Sequence, residues 1–356
     1  MKRVLAINPG STSTKIALYQ GKDSWSLEEL THDELTISRD DAARLPEPND
    51  QLAFRAEQID AFLLESGSPE LHAVVGRGGI TKPLDAGSYA ISPQMVADLS
   101  GNRYGTHASN LGALLAKAIG DSHGIPSLIV DPVGVDQFEP RARYSGWPAL
   151  ERKSQVHALN MRSVAREACH AMGGTLDDFN LVIAHLGGGI SIGPMKHGRL
   201  VDVNNAMDGG PFSPQRTGTL PLRGLVELAY SGQYPSAKSM IDALTRTGGL
   251  LAYLDTDDAR EIIKRIAAGD AKAEETYRAM AYQIAKEIGA MATVLAGKVD
   301  TIVLTGGLAR PPLTDWISES CGWIAPLRII PGERELLALA QAAARHVCEG
   351  ELLKAY

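Results

Sequence analysis

Short apolar blocks alternate with polar turns along this chain, and their spacing predicts most of its elements. Val4-Leu5-Ala6-Ile7 runs into Asn8-Pro9-Gly10-Ser11-Thr12-Ser13-Thr14-Lys15 and is followed by Ile16-Ala17-Leu18, which predicts a β-hairpin over residues 1–19. Leu181-Val182-Ile183-Ala184-His185-Leu186 repeats the device, with Gly187-Gly188-Gly189 as its turn, and predicts a second hairpin over 181–203. Ala73-Val74-Val75-Gly76, Ser127-Leu128-Ile129-Val130-Asp131 and Thr301-Ile302-Val303-Leu304-Thr305 are short buried strands, the last entering Gly306-Gly307.

Helical spacing covers 51–65, with Leu52, Ile59, Phe62 and Leu63 on one face. It also covers 107–119, 151–172 up to Gly173-Gly174, most of 236–297, and 335–347. Residues 38–48 read as a polar loop. Residues 209–221, rich in Gly, Pro and Ser, read as an active-site loop. Strands alternating with helices give an α/β fold.

At 356 residues two domains are expected, with a boundary near residue 150: 1–150, and 151–334, with 335–356 returning to the first. Hydrophobic content of 44% and charged content of 22% are globular values, and a net charge of −7 with no basic block argues against nucleic acid as a partner. No apolar run suits a bilayer or a secretory leader, so no membrane partner and a cytoplasmic location are expected. Cys169, Cys321 and Cys348 are odd in number and widely spaced, and read as inert thiols.

Hairpin turns lined by backbone N–H groups and small hydroxyls suit phosphate. Residues 8–15 are not a P-loop, since the spacing differs and a strand follows; by themselves they also fit an ordinary turn satisfied by its own hydroxyls. Gly187-Gly188-Gly189 also fits a plain flexible turn, but three consecutive glycines lose much entropy on ordering, which a close ligand explains. Arg77 and Arg216 each stand beside glycine, and two such arginines suit a phosphoryl group in transfer, although surface arginines are commoner. Asp131 at a strand end suits Mg²⁺ held through water, or a turn cap. His107 and His157 each begin an apolar helix, where they cap or meet anions, and His185 fits a core histidine or a phosphate donor. Glu335 opens the last helix, as the helix dipole alone favours. A dehydrogenase is excluded because no Gly-x-Gly-x-x-Gly follows the first strand.

The order of these motifs resembles the acetate kinase (acetokinase) family nearly end to end, and most closely its shorter butyrate kinase branch. The match runs through Asn8–Lys15, Val75-Gly76-Arg77-Gly78-Gly79 and His107-Ala108-Ser109-Asn110-Leu111-Gly112. It continues through Val130-Asp131-Pro132, Glu151-Arg152-Lys153-Ser154, His157-Ala158-Leu159-Asn160 and His185–Gly189. Asp202-Val203-Asn204-Asn205-Ala206 and Gly210-Pro211-Phe212-Ser213-Pro214 to Arg216-Thr217-Gly218 are its most specific parts.

The resemblance implies two duplicated actin-like ATPase (ribonuclease H-like) domains with a central nucleotide cleft. It implies transfer of the ATP γ-phosphate to a short-chain fatty acid, with ATP/ADP and a small carboxylate or acyl phosphate as ligands and Mg²⁺ as cofactor. The catalytic set it implies is Asn8, Arg77, Asp131, His157 and Arg216. Ser11, Ser13, Lys15, His185, Gly187, Gly188, Gly189, Gly306 and Gly307 fall on nucleotide and phosphate. His107 and Val156 fall on the acyl substrate, and Asn8, Asp131 and Glu335 on the metal. A homodimer or higher homo-oligomer is the expected assembly. Two departures bear on specificity: Gly306-Gly307-Leu308-Ala309 stands where acetate kinases have Gly-Ile-Gly-Glu-Asn, and Val156 stands where phenylalanine is frequent. Acetate, propionate or branched acids are alternative substrates, and a chaperone-like ATPase of the same superfamily is the non-kinase alternative.

Overall fold

The computed structural model describes residues 1–356, which divide into two compact units: Met1–Val135 with Arg334–Tyr356, and Asp136–Glu333. The division falls before the boundary near 150 expected from the sequence.

The first unit is built on β1 (Lys2–Pro9), β2 (Ser13–Gly21), β3 (Glu28–Thr36), β4 (Ala73–Arg77), β5 (Ser88–Ala90) and β6 (Ser127–Val130), in the sheet order β3-β2-β1-β4-β6-β5. The β1–β2 pair is antiparallel, with Asn8 opposite Lys15, and β1–β4 is parallel, with Ile7 opposite Gly76. Flanked by strands on both sides, β1 is buried from Val4 to Pro9, which is why Val4-Leu5-Ala6-Ile7 is an unbroken apolar run. β3 shows no such run. Its charged, exposed sequence suits a sheet edge and gives no strand signal. Helices α1 (Arg39–Arg44), α2 (Leu52–Glu65), α3 (Pro93–Ser100) and α4 (Asn110–His123) complete this part of the chain. α1 corrects the expected polar loop over 38–48: the Ser38 hydroxyl accepts the Asp41 N–H and caps a short helix that buries no residue.

The second unit opens with α5 (Ala158–Ala171), followed by β7 (Asn180–Leu186), β8 (Ile190–Lys196) and β9 (Arg199–Leu200). α6 (Leu222–Ala229), α7 (Ala237–Arg246), α8 (Gly249–Leu254), α9 (Ala259–Ala267) and α10 (Ala271–Val294) come next. β10 (Thr301–Gly306), α11 (Leu313–Cys321) and β11 (Leu327–Pro331) close it. The expected helix over 151–172 therefore begins only at Ala158. Residues 151–157 are irregular, anchored where Arg152 donates to the Asp202 carboxylate at 2.8 Å and to the Ala142 and Val203 carbonyls.

The second sheet has the order β11-β10-β7-β8-β9. Its hairpin β7–β8 is antiparallel, and β7–β10 and β10–β11 are parallel. Read from the hairpin's third strand inward, both units follow the same path: β3-β2-β1-β4-β6 in one, β9-β8-β7-β10-β11 in the other. The duplication is thus plain in topology although the two sequences share little. The last helix, α12 (Glu335–Glu349), packs on β1 and β4 of the first unit, as α5 packs on β7 and β10 of the second. No helix is long and apolar enough to cross a membrane.

Candidate active site

In the first unit, the turn between β1 and β2 is closed by the Gly10 N–H donating to the Ser13 carbonyl at 2.7 Å. Ser11 is exposed, while the Ser13 hydroxyl donates to Glu34 Oε1 at 2.7 Å and Lys15 lies on the solvent side of β2. Arg77 leaves the end of β4. Its place is set by a backbone contact: a Cβ on Gly76 would lie 1.9 Å from the Gly112 carbonyl oxygen, and one on Gly112 would lie 2.1 Å from that of Arg77. Only glycine permits strand and helix to approach so closely. Gly79 meets Asn110, whose Oδ1 accepts the Ile80 N–H at 2.9 Å.

Three of the expected residues converge here. Glu335 Oε2 accepts from Asn8 Nδ2 at 2.6 Å and from Arg77 Nη1 at 3.1 Å, and Arg77 Nη1 also reaches Asn8 Oδ1 at 3.4 Å. Asp131 is one residue beyond the end of β6, buried and held at φ 39°. Its Oδ1 accepts the Gly87 N–H at 2.7 Å, and Asp131 N–H donates to the Gly87 carbonyl. Gly87 is backed by Lys354, whose Nζ donates to the Ala86 carbonyl at 2.6 Å. His107 precedes α4 rather than opening it: Ser109 is the cap, and its N–H donates to His107 Nδ1 at 3.1 Å. That bond assigns the proton to Nε2 in the neutral ring. Although His107 is open to solvent on one side, loss of hydration, and then the Arg77 charge, push its pKa down.

In the second unit, the glycine turn 187–189 is tied to the 209–221 loop. The Ser213 hydroxyl donates to the Gly188 carbonyl at 2.6 Å and accepts the Arg216 N–H at 3.2 Å. Arg216 lies over the turn: a Cβ on Gly189 would fall 2.4 Å from its Nη1. Arg216 Nη1 donates to the Ala206 carbonyl at 3.3 Å, and desolvation lowers its pKa from the usual guanidinium value. Asn204 holds the base of the loop, donating to the Ile190 carbonyl and accepting the Ile192 N–H, while Gly210 at φ 80° makes room for its side chain.

His157 caps α5 and stacks on His185, with centroids 4.1 Å apart and planes at 14°. His157 Nδ1 meets Ser191 Oγ at 2.9 Å. His185 Nδ1 meets Asn160 Oδ1 at 2.8 Å, so it carries that proton, and its Nε2 lies 3.4 Å from Glu333. Val156 is buried immediately before this pair. Gly306 sits at φ 94° with its Cα against the Leu186 carbonyl, a position closed to any side chain. A cavity of about 780 Å³ joins Gly187 and Gly188 to Gly307, Leu308 and Glu333, with Ile263, Tyr277 and Arg310 among its other walls. The 187–189 turn and the Gly307 loop thus share one cavity of nucleotide size.

Arg55, Asn160, Ser191, Asn204, Ser213 and Glu333 join these contacts without having been expected at the site. Asn160, Asn204 and Ser213 stand inside the quoted motifs, so a signal was present. Glu333 has none. Arg55 has one of another kind, on the apolar face of α2.

A model described as the acetokinase family matches residues 149–311. A probable butyrate kinase of Clostridium botulinum is 46% identical, covering 98% of both chains, and probable butyrate kinase 2 of Caldanaerobacter subterraneus is 46% identical, covering 100% of both. The chain belongs to the acetokinase family. As a member of that family it is a kinase. Its fold is that of the acetate kinase of Porphyromonas gingivalis, with a TM-score of 0.78 at 19% identity over 96% of this chain and 99% of that one. A propionate kinase from Francisella tularensis superposes with a TM-score of 0.74 at 18% identity over 96% and 99%. These likenesses make the two units those of the actin-like ATPase fold.

Proposed function

We propose that this acetokinase-family enzyme transfers the γ-phosphate of ATP to the carboxylate of a short-chain fatty acid, with butyrate or a similar chain preferred. The observation that carries the reading is the pairing of a nucleotide-sized cavity, bounded by the 187–189 turn, with a desolvated arginine held on that same turn. The names of the full-length relatives supply the acid.

A carboxylate is ionised at neutral pH and needs no general base. One of its oxygens attacks the γ-phosphorus in line, forming the new O–P bond. The bond from phosphorus to the β,γ-bridging oxygen breaks, and its electron pair leaves on ADP. What opposes the step is repulsion between anions. Arg77 and Arg216 supply fixed positive charge for the phosphoryl oxygens, His157 supplies a ring donor held by Ser191, and His185, whose Nδ1 proton goes to Asn160, stacks on His157 and fixes its plane. The 8–15 and 187–189 turns hold phosphate, with Ser11 N–H and Lys15 as further donors.

Mg²⁺ fits the donor set. No group of three His, Cys, Asp or Glu side chains forms a cage, but Mg²⁺ commonly uses one or two carboxylates with water and substrate phosphate. Asp131 and Glu335, with Asn8, are the groups that would hold it. When bound, the ion neutralises phosphate charge and fixes the geometry of the polyphosphate. Val156, beside His157, bounds the acyl end, and His107, neutral and carrying a proton on Nε2, contacts the acid. We assign a homo-oligomer contact to α6, which buries nothing although Leu222, Val226 and Tyr230 follow one another at four-residue spacing; sedimentation reads it.

An acyl-hydroxamate assay with ATP and acids of two to six carbons tests the function. Hydroxamate from four- and five-carbon acids in excess of that from acetate is expected. ATP hydrolysis without hydroxamate from any acid favours the chaperone-like ATPase instead.

A further inference from the structure

Arg55 is wholly buried, at 0% exposure, yet every partner of its guanidinium is neutral. Nη2 donates to the Gly10 carbonyl at 2.8 Å and to Gln51 Oε1 at 2.8 Å. Nη1 donates to the Ser13 carbonyl at 3.0 Å and the Thr14 hydroxyl at 2.8 Å, and Nε donates to Gln51 Oε1 at 3.1 Å. Burying a cation without an anion is costly, and hydrogen bonds to neutral acceptors offset only part of that. Desolvation lowers its pKa only to about 10, so it remains charged at neutral pH.

The direction of the bonds matters. In a trans peptide the C=O and N–H point to opposite sides. Because Arg55 draws the Gly10 carbonyl inward, the N–H of Ser11 is turned outward, on a residue exposed to solvent. The guanidinium therefore does two things at once. It fixes the 10–14 turn from beneath with the Ser11 N–H outward, and it places an unneutralised positive charge behind it.

We infer that Arg55 is a positioning residue for the first phosphate turn and that the anion its charge lacks is the phosphoryl group of the nucleotide or acyl phosphate. The inference rests on reading that turn as a phosphate site. Arg55 touches no substrate; it acts through the Gly10, Ser13 and Thr14 groups it holds.

The test combines exchange on the unmodified protein with two variants. ATP with Mg²⁺ should slow amide hydrogen exchange in residues 10–14 of the wild type; unchanged exchange at saturating ATP overturns the inference. Arg55→Lys keeps the charge and loses the fork, whereas Arg55→Met loses both. A misplaced phosphate turn should lower kcat about a hundredfold in Arg55→Met, with partial recovery in Arg55→Lys. The KM for ATP should rise in both, and the KM for the carboxylate should stay within about twofold. A lower melting temperature with wild-type kcat and KM for ATP means a merely structural role and refutes the inference. If Arg55→Met does not fold, the wild-type exchange and Arg55→Lys decide the matter. Should the wild type make no acyl phosphate while ATP still protects the turn, and protection fall in Arg55→Lys, the carboxylate reading fails and the Arg55 assignment stands.

Discussion

Arg77 and Glu335 form an ion pair at 3.1 Å although 258 positions separate them in the chain. The pair brings the start of the last helix to the end of β4, and Asn8 joins it from β1. Glu335→Gln keeps an acceptor but removes the charge that orients Arg77. The pair is partly exposed, so the loss of stability should be about 1 kcal/mol or less. Turnover should fall by about tenfold or more, because a misaimed arginine no longer meets the phosphoryl charge. Melting curves and kcat measured on one preparation check this; equal kcat in variant and wild type removes Glu335 from the site.

The two adjacent glycines of the second turn should separate kinetically. Gly189→Ala puts a methyl 2.4 Å from Arg216 Nη1, and a flexible side-chain end yields before the backbone does. It should lower kcat by about tenfold while leaving the KM for ATP nearly unchanged. A Cβ on Gly188 meets no heavy atom within 4 Å, and Gly188 itself lines the cavity. Gly188→Ala should raise the KM for ATP more than it lowers kcat. Identical kinetic changes in the two variants would contradict the assignment.

Chain length should follow Val156. Each buried methylene contributes at most about 0.8 kcal/mol, so preference over acetate should be graded rather than absolute. Val156→Phe should move the best substrate toward shorter acids with little change in ATP affinity. An unchanged acid profile excludes Val156 from the pocket wall.

The lowered pKa of His107 gives a pH dependence of defined sign. Below about 6.5 the unfolded chain protonates this ring, whereas the native ring stays neutral to lower pH. The unfolded state then binds more protons, so stability contributed by neutral His107 is present above about 6.5 and is lost as pH falls from there. An NMR titration should place its midpoint below 6.5, and His107→Gln should flatten the slope of stability in that window. A midpoint at or above 6.5 contradicts the assignment.

The strands that carry the site were legible because central strands are continuous apolar runs, as β1, β4, β7 and β10 are. β3 and α1 were not, since both are solvated and owe their form to edge pairing and to one serine cap. The helix expected from Glu151 starts at Ala158 because Arg152 is committed to Asp202, a long-range contact that periodicity does not register. Arg55 shows the opposite case. It occupies the stripe of Leu52, Ile59, Phe62 and Leu63, so a charged residue on the apolar face of α2 was visible, but its partners in the first turn were not. Glu333, beside His185, left no trace in any local pattern.

ATP synthesis in the reverse direction tests the central claim most directly. Wild-type protein given butyryl phosphate, ADP and Mg²⁺ should form ATP. Arg216→Ala should lose roughly 10²–10³ in kcat, the scale of one electrostatic contact made in the transition state, while ADP affinity changes only a few-fold. No ATP from the wild type, or a loss in ADP affinity that matches the loss in turnover, contradicts the account.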